Sequence, residues 1–115
     1  MIRIKRAYEP PAKGDGKRFL VDRVWPRGKK KEDLDLAGWI KDVAPSTALR
    51  KWFGHDPERW NEFLRRYTAE LNASRETWKP LLAESRKHTI TLVYGAHDEE
   101  HNNAVALQKY LNHLR

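Results

Sequence analysis

The chain contains no cysteine. That excludes a disulfide framework, a thiolate zinc site and a thiol nucleophile. Long apolar runs are missing too. The longest stretch without a charged residue, His88 to His97, is ten residues, against the roughly 20 apolar residues of a membrane span. No apolar segment follows Met1, so no secretory signal is expected. The six glycines form no phosphate-cradling loop. Gly14-Asp15-Gly16 comes nearest, but no helix start follows it directly, and the backbone N–H groups of such a start are what a phosphate loop requires. Repeats, linkers and low-complexity tracts are absent.

What is present is one domain's length of chain, 115 residues, 39% apolar and 34% charged. This is too apolar for a disordered chain and too charged for a membrane protein. The expectation is a soluble, cytoplasmic, basic globular domain spanning 1–115. The net charge of +7 is one-sided. Residues 1–31 hold eleven Lys and Arg against three acids, and the remainder is nearly balanced. A local positive potential of this kind suits an anionic small molecule, a nucleotide or nucleic acid; it also suits a plain solvated face.

Ile2 and Ile4 alternate with Arg3 and Lys5, the period of a half-buried strand. Glu9 to Lys17, with its prolines and glycines, reads as a loop. Phe19 to Trp25 reads as a strand covered on both faces, ended by Pro26. Asp33 or Asp35 can cap a helix in which Leu36, Ile40 and Val43 share a face. Ser46 can cap a short helix carrying Leu49, Trp52 and Phe53, closed by Gly54. Asp56-Pro57 starts the most regular helix, with Trp60, Phe63, Leu64, Tyr67 and Leu71 at spacings of three and four. In the next helix Thr77 is preferred to Ser74 as cap, because it puts Pro80 in the first turn, where no donor is needed. Thr89 to Tyr94 is β-branched and aromatic, hence a strand. Asp98 is the expected cap of a final helix containing Ala104, Val105, Leu107 and Leu111. The order predicts an α/β fold: a small, mainly parallel sheet of three to four strands flanked by helices, in three layers, with a crossover joining the second and third strands.

In such sheets ligands sit beyond the carboxyl ends of the strands. Two strand ends are polar there: Asp22 to Gly28, and Tyr94 to Asp98 leading into His101-Asn102-Asn103. Asp22, a carboxylate in an apolar strand, is either an acid–base group with a shifted pKa or half of an ion pair with Arg27 or Arg50. Alternation puts Arg23 on the face opposite Asp22. Arg27, on a rigid turn, suits bidentate carboxylate or phosphate recognition. Trp25 at the strand end could stack on a base or ring, whereas Trp39, Trp52, Trp60 and Trp78 read as core. His55, in a loop, can act as acid or base. Asp98, Glu99 and Glu100 would make a helix start unfavourable to phosphate, directing an anion towards Arg27. Asp98 is the third acid–base candidate, and His101 with Asn102 offers hydrogen-bonding groups. His97 and His101 superficially match a zinc-protease pair, but Asp98 stands where that motif needs Glu, so neither a metal nor a cofactor is expected.

The string Leu20-Val21-Asp22-Arg23-Val24-Trp25-Pro26-Arg27-Gly28 resembles the YeaO-like family of bacterial and archaeal domains of unknown function. So do Asp42 to Ser46, Leu49 to Asp56, Trp60 to Tyr67, and Leu92 to Ala96 with Asp98, His101, Asn102 and Ala104. The resemblance implies a small cytoplasmic α/β domain and brings no established catalytic residue. A broader set of related domains is similar in having Val-Asp-x-Arg-x-Pro after one strand and Cys-His-Arg after another. This chain has no cysteine, and His101-Asn102 stands near that place. The leading expectation is therefore binding of a phosphate- or carboxylate-bearing ligand or nucleotide, with catalysis open. A nucleic-acid-binding module and a protein-interaction domain are the alternatives.

Overall fold

The computed structural model describes residues 1–115. Its elements are β1 (Ile2–Arg6), β2 (Lys17–Leu20), α1 (Lys31–Leu34), β3 (Gly38–Trp39), α2 (Thr47–Phe53), α3 (Trp60–Ala73), α4 (Arg75–Lys87), β4 (Ile90–Tyr94) and α5 (Asn103–Leu114). Three 3-10 turns, Lys13–Asp15, Lys41–Val43 and Pro57–Arg59, join them. The four strands form one sheet in the order β1-β4-β2-β3. All neighbours are parallel, with Ile2 opposite Ile90 and Lys17 also opposite Ile90. This is the expected α/β class, and the structure places β2 and β4, separated by the helical crossover, as parallel neighbours.

The two faces of the sheet are covered very unequally. Ile2, Phe19, Val21, Ile90, Leu92 and Tyr94 face α2 to α5 and the main core. There Phe53 stacks on Phe63 with ring centres 4.4 Å apart, and Trp60 stacks on Phe63 at 5.5 Å. Burying each such ring stabilises the fold by about 1.5–3 kcal/mol. On the opposite face β1, β2 and β4 present only two buried apolar side chains, Leu20 and Val93, packed on Ala7 and Leu34, with Trp25, Leu36 and Trp39 at the margin. The third layer is thus a loop and the single turn of α1.

A buried polar knot completes that thin layer. Arg18 and Asp15 are each 3% exposed. Arg18 Nη1 donates to Asp15 Oδ2 at 2.7 Å, and its Nε donates to the Leu34 carbonyl at 2.8 Å. Lys5 Nζ donates to Asp15 from β1, and Thr91 Oγ1 donates to the Asp15 carbonyl from β4. Burial alone would raise the Asp15 carboxyl, but the Ala12 N–H, Lys5 and Arg18 outweigh it and hold the pKa below the usual value of 3.8. Gly16 then turns the chain into β2 at φ 62°, where a Cβ would lie 2.0 Å from the Thr89 carbonyl oxygen.

Several expected boundaries are corrected. The strand expected over Phe19 to Trp25 is hydrogen-bonded as Lys17–Leu20. The helix expected to carry Leu36, Ile40 and Val43 is broken into α1, β3 and a 3-10 turn. Asp35 adopts a left-handed conformation at φ 48°, and the chain then pairs with β2 through Gly38 and Trp39. The ladder hydrogen bonds of the sheet override a helical apolar pattern there. Helix α4 begins at Arg75 rather than after Thr77, so Pro80 lies inside it. Thr77 Oγ1 donates to the Ser74 carbonyl at 2.7 Å instead of capping. Ser46 and Gly54 cap α2 as expected: Ser46 Oγ accepts from Leu49 N, and Gly54 is left-handed. Helix α5 is capped by Asn102, whose Oδ1 accepts from Val105 N, and not by Asp98.

The Asp15 knot yields a stability prediction. Asp15→Ala leaves the Arg18 charge buried without a partner, at a cost of about 3–5 kcal/mol, readable as a lowered urea midpoint. In the unsubstituted protein the folded carboxyl lies below 3.8. The Asp15 contribution is therefore complete above that pH and is lost as pH falls through the lower folded value. An Asp15→Ala midpoint equal to that of the unsubstituted protein at neutral pH would show that the thin layer is held otherwise.

Candidate functional site

Beyond Leu20 the chain leaves the sheet in a bend, and three hydrogen bonds fix it. Trp39 Nε1 donates to the Asp22 carbonyl at 2.7 Å, and Asn103 Nδ2 donates to the Val21 carbonyl at 3.0 Å. Gly95 N, just past β4, donates to Asp22 Oδ2 at 2.8 Å. Because the strand has ended, its alternation no longer applies. Asp22 and Arg23 line the same crevice, contrary to the opposite-face expectation.

This crevice lies at the carboxyl ends of β2 and β4 and encloses about 100 Å³. Phe53 and Phe63 give it an apolar floor, and Asp22, Arg23, Arg50, His55, Asn102 and Asn103 supply its polar groups. A second hollow of about 460 Å³, lined by His55, Gly95, Ala96, His97 and Asp98, shares His55 and Ala96 with it. His55 is held at the junction by a left-handed backbone, φ 58°, directly after left-handed Gly54. This is a conformation that a residue with a Cβ adopts at a cost.

Arg23 is positioned from behind. Its Nη2 donates to the Ala44 and Pro45 carbonyls at 3.3 and 3.4 Å. Those carbonyls are set by α3: Tyr67 Oη donates to the Val43 carbonyl, and Glu70 accepts from the N–H and hydroxyl of Ser46 at 2.8 and 2.6 Å. Arg23 Nε is buried without a partner. No carboxylate lies within 4.0 Å of either Arg23 or Arg50, and no cation lies that close to Asp22. Burial raises the Asp22 pKa above 3.8, opposed in part by the Gly95 N–H, the Asn103 amide, His55 and Arg50.

The other candidates are dispersed. Asp98 lines the outer hollow, but its Oδ1 accepts from Glu100 N and His101 N at 2.9 and 3.0 Å. Its Oδ2 meets His101 Nδ1 at 2.9 Å. The Glu100 N–H and His101 hold its carboxyl below the usual value. Since Asp98 to Glu100 precede α5 rather than open it, the expected acidic helix start does not exist. The His101 ring sits edge-on against Trp60 at 5.3 Å. Asn102 is 2% exposed, and both ends of its amide are used in capping, with Nδ2 on the Asp98 carbonyl.

Arg27 is exposed and lines neither hollow. Trp25 is half-buried against Trp39, 5.2 Å between ring centres, with Nε1 donating to the Lys29 carbonyl. It borders a separate groove of about 850 Å³ with Lys31, Glu32, Asp35 and Leu36. That groove is larger but has no convergent buried polar group, the feature that marks ligand sites. Arg50, considered from the sequence only as an ion-pair partner of Asp22, and Asn103, noted only as part of the His101-Asn102-Asn103 run, both line the crevice. Arg50 follows Leu49 on a helix whose buried face is plain in the sequence, yet only the docking of α2 puts it beside Asp22.

The basic N-terminal segment is also partly spent. Lys5 and Arg18 are paired with Asp15 and Lys17 with Glu84. Arg3 donates to the Gly14 carbonyl and Arg6 to the Ala96 carbonyl.

Fold and crevice together define a small parallel α/β domain with a polar, unneutralised hollow where two neighbouring strands end. The chain belongs to the family described as the inactive DUF488-N3 subclade, whose model matches residues 1–114. It is 42% identical over 113 residues to the uncharacterised protein YeaO of Escherichia coli strain K12, covering 98% of each chain. It is 43% identical over 115 residues to the uncharacterised protein Rv3073c of Mycobacterium tuberculosis strain H37Rv, covering 96% of this chain and 93% of that one. The YeaO-like resemblance of the sequence is thereby confirmed. No solved structure matches the chain.

Asp22 gives a pH-dependent prediction. Its folded pKa lies above the ordinary 3.8, so between the two values the folded state binds more protons, and stability falls as pH rises through that window. Asp22→Asn keeps an oxygen for the Gly95 N–H and removes the buried charge. It should raise the melting temperature at pH 7, with the gain shrinking as the pH drops below the folded value. A lower melting temperature at pH 7 would mean that the ionised carboxylate stabilises the fold.

Proposed function

We propose that the protein binds a small ligand through a carboxylate or phosphate group seated in the crevice between Asp22, Arg23, Arg50 and His55. The observation that carries this reading is the pair of guanidinium groups, Arg23 and Arg50, facing one hollow with no carboxylate within 4.0 Å. An anion there gains charge-assisted hydrogen bonds from two guanidinium groups that no carboxylate contacts directly. A perturbed carboxylate in a cleft fits a functional site. The crevice holds an anionic head group and no more, about 100 Å³, and the larger hollow beyond His55 can receive the remainder of a ligand.

The reading is of binding rather than turnover. The family description carries the word inactive, and the chain has no cysteine to supply a nucleophile. Asp22 and His55 are acid–base groups at the site, and binding alone accounts for both: His55 as a donor and Asp22 as an acceptor.

Titration of isotope-labelled protein with inorganic phosphate and with acetate, followed by NMR, tests the assignment. The Gly95 amide and the Asn103 side chain are the expected reporters. Arg50→Ala should weaken either anion about tenfold or more, the worth of a hydrogen bond to a charged group, while Arg27→Ala should change it less than about twofold. Equal losses from both substitutions, or shifts confined to the Arg27 to Lys31 turn, would move the anion site away from the crevice.

A further inference from the structure

We infer that the ligand of the crevice is a small carboxylate carrying a hydrogen-bond donor, a hydroxyl group, on the carbon next to the carboxyl group. This inference rests on the anion-binding reading above and adds the ligand class.

The argument begins with what is left unsatisfied. Asp22 Oδ2 is committed to the Gly95 N–H. Asp22 Oδ1 has no hydrogen bond of good geometry from the protein, because the nearby Asn103 Nδ2 donates to the Val21 carbonyl, and it is not sealed from solvent: the buried side-chain atoms without a partner are Arg18 Nη2 and Arg23 Nε alone. An acceptor lone pair therefore opens into the hollow that Arg23 and Arg50 share. Arg23 Nη1 is in the same condition on the donor side, because only Nη2 of that guanidinium reaches the Ala44 and Pro45 carbonyls. A free acceptor and free cationic donors thus line one space of about 100 Å³.

A bare carboxylate such as acetate would satisfy the guanidinium groups and face Asp22 with another negative oxygen. A hydroxyl on the adjacent carbon removes that conflict. It donates to Asp22 Oδ1 while its own carboxylate accepts from Arg23 Nη1 and Arg50. The short distance between the two groups of such a ligand matches the small volume, which leaves no room for a spacer. Charge agrees: Arg23, Arg50 and ionised Asp22 sum to one positive charge, which a hydroxycarboxylate monoanion cancels. A zwitterionic amino acid would leave that charge uncompensated.

Glycolate, acetate and methoxyacetate, titrated separately into the full-length protein with NMR detection, read the inference directly. Glycolate should bind about tenfold more tightly than acetate, the worth of a hydrogen bond to a charged acceptor. Methoxyacetate keeps the ether oxygen but cannot donate, and should show no such gain. In Asp22→Asn the Gly95 N–H claims the amide oxygen and the NH2 group turns towards the crevice, so acetate should bind more tightly, and the advantage of glycolate over methoxyacetate, which needs a donated proton, should vanish. Equal affinities of glycolate and acetate for the unsubstituted protein, with shifts at Gly95, would overturn the hydroxycarboxylate assignment and leave an anion site standing. An advantage of glycolate over methoxyacetate that survives Asp22→Asn would overturn the role of Asp22. Failure of glycolate, acetate and phosphate alike to move Gly95 or Asn103 would overturn the anion-binding reading itself.

Discussion

The fold depends on the ion pair between Arg18 and Asp15. A parallel strand needs cover on both faces, and all five residues of β4 are buried. Four helices supply one cover, whereas the other is a loop and one helical turn with few apolar side chains. Arg18 makes that cover sufficient by joining the loop, through Asp15, to the end of α1, through the Leu34 carbonyl. Its position in β2 puts both contacts directly over the sheet. A polar knot replaces the hydrophobic layer that a larger domain would use, and the cost of burying the charges is met by completing most of their hydrogen bonds.

The crevice follows from the same economy of chain. The second strand stops at Leu20, short of the Trp25 end that its apolar pattern suggests. The freed backbone carbonyls of Val21 and Asp22 find partners in Asn103, at the start of α5, and Trp39, in β3, while the Asp22 side chain accepts from Gly95 N, just past β4. Those hydrogen bonds converge on Val21 and Asp22, so the point where the sheet runs out is also the point where three elements are pinned together. The resulting site is rigid in backbone and unneutralised in charge. Binding sites are preorganised in this way when the fold, rather than the ligand, bears the cost of desolvating the polar groups.

The parts of this architecture that sequence reveals are those fixed by local chemistry. Alternation at Ile2 and Ile4, the β-branched run before Tyr94, the Ser46 and Gly54 caps and the apolar stripe of α3 each specify an element by themselves. The parts it hides are decided by partners distant in the chain. Leu36, Ile40 and Val43 have helical spacing, but the open edge of β2 recruits Gly38 and Trp39 as a strand. Asp98 has every local mark of a cap, yet Asn102, four residues later, takes the role because α5 must dock on β1 and β4 at that point. The candidate site divides in the same way. Asp22, Arg23 and His55 come together as neighbours in space, whereas Arg27 and Trp25, equally prominent in the string, are carried to other surfaces once the strand ends early. Arg50 and Asn103 have no distinguishing local signal; their place is set by how α2 and α5 pack.

The brevity of β3 has a consequence for life at high concentration. An exposed sheet edge is a template on which another chain can add a strand. Here the edge beside β2 is closed by a partner only two residues long, Gly38–Trp39, too short to seed an extended ladder. The opposite edge, β1, carries Arg3 and Arg6, neither paired with a carboxylate, among its five residues. Two copies meeting edge to edge there would bring like charges together across the new seam, which opposes pairing. Both edges of this entirely parallel sheet thus disfavour the addition of a further strand.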